Sequence, residues 1–238
     1  MENWLIILPV ALVSSTVAAI AGTGGGVILL PVLVMKFGIR DAVPMYTIAQ
    51  LIGNMSRVVL NRQDIKLPVV GWFCLGAIPC AILGSWMFTK IPDSGLTRIL
   101  GIFLIGSVVW RHAIVRPQKG FATPWFAVIG AMFSIISATV GSGGPFAAPF
   151  YISYGLVKGV FIGTEALGSA MMHVVKLVSY QTLGAIAPPV WLNGLFIGPV
   201  MIIGSHLGRW ILERLPTHVF ILVIEIAILL FGIWLLMK

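Results

Sequence analysis

Two glycine clusters and two polar ladders carry most of the chemical potential in this chain. The first cluster is Ala21-Gly22-Thr23-Gly24-Gly25-Gly26 and the second is Val140-Gly141-Ser142-Gly143-Gly144-Pro145, offset by 119 residues in a chain of 238. Each is followed by an apolar run with a proline, Pro31 in one case and Pro149 in the other. Glycine adopts backbone angles closed to other residues and lets a ligand approach the main chain. That makes Gly22, Gly24, Gly25 and Gly26, with Gly141, Gly143 and Gly144, candidates for direct contact with a bound solute. A helix starting after each cluster aims free N–H groups and about half a positive charge at the break, which suits an anion. Thr23 and Ser142 add hydroxyl donors at matching places. One such cluster alone reads as close helix packing through small residues. Two equivalent clusters, each with a hydroxyl residue, favour a solute site.

Gln50, Asn54 and Arg57 follow one another at spacings of four and three, so on a helix they share a face. Ser169, His173 and Lys176 occupy the corresponding places 119 residues later. Two cations related in this way could clamp one dianion or two monoanions. Arg57 stands beside Asn61 and Arg62 and could instead reach toward headgroups. Residues 177–183 separate Lys176 from the next loop, so an intramembrane role is the default for it. Glu165 and Glu225 are carboxylates within apolar runs. Either could carry a coupling proton; Glu225, in mid-span, could equally pair with a cation from another helix or sit protonated at a homodimer contact, and Glu165, near the start of its span, could be an interface residue.

The elements that must position these groups are membrane helices. Hydrophobic residues make up 59% of the chain and charged residues 9%, with a mean hydropathy of +1.06, whereas soluble domains carry about 25% charged residues. The charges gather in short stretches at 36–41, 61–66, 111–119 and 209–214. The apolar spans are 4–20 and 27–37 around the first cluster, then 43–60, 67–88 and 96–110. The second half repeats the order with 125–140 and 146–154 around its cluster, then 160–183, 190–211 and 219–236. Trp4, Trp110, Trp125, Trp191, Trp210 and Trp234 lie near span ends, and Trp72 and Trp86 a few residues inside one, as in interfacial aromatic belts. The start, Met1-Glu2-Asn3, lacks a basic n-region, so the first span is expected to stay in the mature protein.

The flanks repeat too. Leu83-Gly84-Ser85 with Ile91-Pro92 matches Ile203-Gly204-Ser205 with Leu215-Pro216, and Pro79 matches Pro199. The expected fold is therefore an all-α polytopic membrane protein of about eight transmembrane segments in two homologous halves, 1–119 and 120–238, each opening on a segment broken at its glycine motif. The stretch 4–37 is too long for one helix across a core of ~30 Å. A partly unwound span gives parallel repeats, and a re-entrant hairpin gives inverted ones. Counting Arg62, Arg111, Arg116, Lys119 and Arg214 on one side favours hairpins with those loops cytoplasmic.

Other classes fit poorly. The net charge of +8 is scattered over loops without a basic stripe, which speaks against nucleic acid and for anionic headgroups and an anionic solute as partners. Gly22-Thr23-Gly24-Gly25-Gly26 lacks the Gly-Lys-Ser/Thr and preceding strand of a phosphate loop. Cys74 and Cys80 point in different directions on one helix, and no metal spacing or cofactor motif occurs. No enzyme constellation is present.

The doubled pattern Gly22-Thr23-Gly24-Gly25-Gly26 with Pro31, and Gly141-Ser142-Gly143-Gly144 with Pro149, resembles the sulfite exporter TauE/SafE family over nearly the whole chain. The resemblance implies an inner-membrane permease for small sulfur-containing or organic anions such as sulfite, sulfonates and sulfoacetate. This sequence departs from the family pattern at Pro145, where a glycine is frequent, and in Pro149, one residue early relative to Pro31. The expected function is secondary transport of such an anion across the cytoplasmic membrane by alternating access, with an anion channel or a non-transporting scaffold subunit as alternatives.

Overall fold

A computed structural model describes residues 2–22, 25–114 and 122–212; Thr23, Gly24, Glu225 and the expected span at 219–236 lie outside them. The described residues form nine helices and no strand. In chain order they are α1 (Glu2–Ala21), α2 (Gly25–Phe37), α3 (Ile39–Leu60), α4 (Leu67–Lys90), α5 (Asp93–Ile114), α6 (Trp125–Val140), α7 (Gly144–Ser153), α8 (Lys158–Thr182) and α9 (Pro188–Leu212).

Both glycine clusters break helices, and at both the chain folds back on itself. Gly22 and Gly141 take φ of 71° and 95°, the left-handed region in which glycine ends a helix without a Cβ penalty. Beyond the first break, Ser14 donates to the carbonyl of Gly25 at 2.5 Å, and the rings of Trp4 and Phe37 meet at 6.2 Å. The start of α1 thus lies beside the end of α2. The second break has the same form: Phe126 at the start of α6 packs on Tyr151 and Tyr154 at 4.9 and 5.2 Å, and the Thr123 and Tyr154 hydroxyls bond at 2.6 Å. Each glycine motif is therefore the tip of an antiparallel helical hairpin.

The two hairpins are built into each other's halves. α4 runs along α6 and α9 runs along α1, while α3 packs on α9, α8 on α4, and α3 on α8. Exchanging the first four helices with α6–α9 leaves these pairings unchanged. Glycines make the closest crossings possible: a Cβ on Gly76 would lie 1.8 Å from the Ala127 carbonyl oxygen, and one on Gly130 2.2 Å from that of Phe73. Gly204 and Gly208 give α9 the same approach to α1, next to the carbonyls of Leu12 and Thr16. A Ser15–Ser205 hydroxyl contact of 3.1 Å joins the same pair of helices. Close backbone contact through small residues, with interhelical hydroxyl bonds, is how helices associate without a hydrophobic driving force.

Exposure is inverted relative to a water-soluble protein. Leu75, Ile82 and Trp86 on α4, Val174 and Val178 on α8, and Leu192, Phe196 and Ile203 on α9 are exposed, whereas Gln50, Asn54, Arg57, Glu165 and Lys176 are buried. α1, α4, α8 and α9 are each long and apolar enough to cross a bilayer. An apolar exterior around a polar centre places the chain in the membrane as a multi-pass protein.

The α4–α5 corner is held from α3. Arg40 donates to the carbonyls of Phe88 and Ile91 and pairs with Asp93 at 2.6 Å. The carboxylate is well exposed, so the ion pair contributes ~1 kcal/mol or less, while charged bonds to carbonyls contribute ~1.5–3 kcal/mol. Arg40→Ala should therefore lower thermal stability clearly more than Asp93→Asn. Equal losses in the two variants would show that the ion pair, and not the capping of α4, holds the corner.

Candidate functional site

Four elements meet around one central cavity: the tips of both hairpins and the polar faces of α3 and α8. From the first motif Gly22, Gly25 and Gly26 line it, and from the second Gly141, Ser142, Gly143 and Gly144 do so. The two motifs touch. A Cβ on Gly26 would fall 2.2 Å from Ser142 Oγ and 2.4 Å from Tyr46 Oη, so only glycine lets α2 begin here. Since α2 and α7 both start at the cavity wall, the unbonded first-turn N–H groups of two helices converge on it. Pro145 in the first turn of α7 sits where a missing N–H costs nothing.

α3 brings Tyr46, Gln50, Asn54 and Arg57 to the wall, and α8 brings Glu165, Ser169 and His173. The 119-residue offset matches Tyr46 with Glu165, Gln50 with Ser169 and Asn54 with His173. The bonding matches as well: Gln50 Nε2 donates to Tyr46 Oη, and Ser169 Oγ donates to Glu165 Oε1 at 2.6 Å. Arg57 donates to Asn54 Oδ1 through Nη2. The backbone carbonyl of Arg57 is held by Asn61 Nδ2 at 2.8 Å.

The fourth matched pair, Arg57 and Lys176, does not behave alike. Arg57 lines the cavity, whereas Lys176 is fully buried behind it. Lys176 Nζ donates to the Ser137 carbonyl at 2.8 Å and to Ser137 Oγ at 3.1 Å. It thus places a cation on the last turn of α6, the negative end of that helix. Tyr180 Oη donates to the next carbonyl, that of Ala138. The counterpart of Ser137 in the first half is Ala18, which offers no hydroxyl to hold Arg57 back.

The cavity encloses about 40 Å³, more than one water molecule needs. Its wall carries buried polar atoms with no hydrogen-bond partner among the described residues: Gln50 Oε1, Arg57 Nε and His173 Nδ1. Leaving such groups unmade costs ~1–3 kcal/mol each, more for charged ones. A small polar solute or ordered water would complete them. No ion pair joins Arg57 to Glu165, so the two share the cavity without closing on each other.

Sequence reasoning missed Tyr46 and Ser137. Tyr46 lies one turn before Gln50 and extends the same ladder, a signal that was present in the spacing. Ser137 lies one turn before the second break, and nothing local distinguishes it from the other serines of that span. Cys74 and Cys80 are free thiols away from the cavity wall.

The sequence model of the family described as Sulfite exporter TauE/SafE matches residues 7–235. A Bacillus subtilis (strain 168) protein named Probable membrane transporter protein YunE is 20% identical over 267 residues, covering 97% of this chain and 96% of the relative. No solved structure matches the chain. With a polar cavity at the centre of an apolar helical bundle and a family match over nearly its whole length, the chain belongs to the sulfite exporter TauE/SafE family of membrane transport proteins.

Proposed function

We propose that the protein is a secondary transporter that moves a small anion across the cytoplasmic membrane by alternating access, with sulfite or an organosulfonate as the substrate class. The observation that carries this reading is the meeting of both glycine motifs and Arg57 on one buried polar cavity. Two helix N-termini and a guanidinium with an unpartnered Nε supply positive potential and donors, and the cavity has room for a small guest. The description of the family as sulfite exporters supports the substrate class. A hairpin followed by three spans, as expected from the sequence for each half, 1–119 and 120–238, gives an odd number of crossings, so the halves are read as inverted repeats. The inner membrane as location and a homodimer as assembly belong to the same reading.

Alternating access needs one thin wall at a time. Asn61, one turn beyond Arg57 and bonded to its carbonyl, lines a surface depression with Arg62, Asp64 and Arg209. Its counterpart, Tyr180, is fully buried, bonded to the Ala138 carbonyl and packed on Phe88 at 5.1 Å. A channel, the alternative reading, would instead need a continuous polar path.

The reading is tested by the thermal stability of the purified protein against sulfite, sulfate, thiosulfate, sulfoacetate, taurine and simple carboxylates. A ligand at 100 times its Kd adds about 2.7 kcal/mol to the native state. A selective shift with one sulfur oxyanion or sulfonate is expected; no shift with any anion in a folded protein contradicts it. In the same assay Lys176→Met should lower basal stability by about 1–3 kcal/mol, through the loss of a buried charged bond at the end of α6. It should weaken the anion-induced shift less than substitution of Arg57 does. A complete loss of the shift with unchanged basal stability would put Lys176 in direct contact with the anion.

A further inference from the structure

The cavity is electrically lopsided. α3 contributes a cation, Arg57, and α8 contributes a carboxylate, Glu165, where the first half has the neutral Tyr46. Both groups are buried and line the same cavity. The hydrogen bond that Glu165 receives comes from Ser169, and no described cation approaches it within ion-pair distance. With Glu165 ionised, the carboxylate offsets Arg57, and an entering anion meets a like charge inside a cavity of about 40 Å³. With Glu165 neutral, the guanidinium and the two helix N-termini face the anion unopposed. An anion therefore binds the protonated form better, and by linkage its binding draws a proton onto the carboxylate.

Resting on the anion reading above, we infer that Glu165 is the proton-binding half of the site, so that one solvent proton and one anion enter the cavity together and cross together. The balance is simple: the Glu165 carboxylate and one proton give the neutral acid, an O–H bond forms, and no electron moves. A divalent anion then crosses with the charge of a monovalent one. The other titratable groups around Glu165 are Arg57 and Tyr46 on α3, Tyr151 on α7 and His173 two turns along α8. Of these, His173 is the rival for the same proton, because its unpartnered Nδ1 lines the cavity too.

The experiment measures proton uptake when the full-length protein binds sulfate or methanesulfonate, anions that do not titrate near neutral pH. Calorimetry in two buffers of different ionisation enthalpy gives the protons taken up per anion. The wild type should take up about one proton per anion at neutral pH, with affinity falling by up to about tenfold per pH unit as pH rises. Glu165→Gln should bind the anion without uptake and with little dependence on pH. Glu165→Asp should restore the uptake, which separates a proton site from a merely structural one. Anion binding by the wild type with no proton uptake overturns the inference and leaves the anion reading standing. Uptake that persists in Glu165→Gln moves the proton to His173 and overturns it as well. A folded wild type that binds neither anion, nor any other of the panel, overturns the anion reading and this inference with it. If Glu165→Gln fails to fold, His173→Asn decides: uptake that persists there supports Glu165, and uptake that is lost there overturns the inference.

Discussion

Arg57→Met should abolish anion-induced stabilisation and transport while leaving the protein folded. The guanidinium is the one cation on the cavity wall among the described residues. Removing one member of a buried charged contact costs about 2–5 kcal/mol of affinity, a weakening of ~30-fold or more. Methionine keeps most of the length and apolar surface of the side chain, and Asn54 can solvate itself through a bound water, so basal stability should change little. The check is a ligand titration by thermal shift, followed by flux in proteoliposomes. Anion affinity within about threefold of the wild type would remove Arg57 from the site. Arg57→Lys is expected to recover part of the affinity, because it keeps the charge and loses the planar fork.

Gly76→Ala should produce the largest loss of stability from a single added methyl group. Its Cβ would lie 1.8 Å from the Ala127 carbonyl oxygen, with the rest of that peptide at 2.7 Å. Backbone cannot rotate away as a side chain can, so α4 and α6 must part along their length. Overpacking of this kind costs about 1–3 kcal/mol and occasionally more, and the α4–α6 contact also carries the hairpin tip that forms the cavity. The internal control is Gly71→Ala on the same helix, where nothing lies within 4 Å of the new Cβ. There the gain in helix propensity should raise stability by up to about 1 kcal/mol. Melting both variants in one detergent at one scan rate checks the pair. Similar melting temperatures for the two would mean that α4 and α6 do not cross as closely as described.

Much of the fold was legible because membrane helices announce themselves. Long apolar runs separated by charged loops gave spans that agree with α1–α9 to within a few residues. The ladder Gln50, Asn54 and Arg57 indicated one face of α3, and that face lines the cavity. The glycine doublets indicated backbone breaks, and Gly22 and Gly141 end their helices with positive φ. What periodicity does not encode is which helix meets which. The crossing of α4 with α6 depends on Gly76 and Gly130 facing carbonyls of the other half, and no local pattern distinguishes those glycines from Gly71. The direction of the chain after each break was also hidden, since hairpin and unwound span share one sequence signature; the Trp4–Phe37 and Phe126–Tyr154 contacts decide it.

The repeat also invited an over-symmetric picture of the site. Arg57 and Lys176 occupy matched positions, which suggested a pair of equivalent cations. One substitution between the halves, Ala18 against Ser137, gives Lys176 a hydroxyl and a carbonyl to hold and leaves Arg57 at the wall. A second, Tyr46 against Glu165, places a carboxylate opposite that arginine. Symmetry set the scaffold, and the departures from it set the chemistry. Thr23, Gly24 and Glu225 lie outside the described residues, so their expected roles in solute contact and proton coupling stay proposals drawn from the sequence.

The most direct test of transport through this cavity is counterflow of a labelled sulfur anion in proteoliposomes. Vesicles loaded with a high concentration of unlabelled sulfite or sulfonate should accumulate the labelled anion transiently. The rate should saturate with external concentration, and the Arg57→Met protein should show neither effect. Such trans-stimulation requires a site that faces one side at a time. Flux that rises linearly with concentration and ignores the internal anion would contradict alternating access and indicate a channel. Absence of any anion flux from folded, reconstituted protein would contradict the central claim itself.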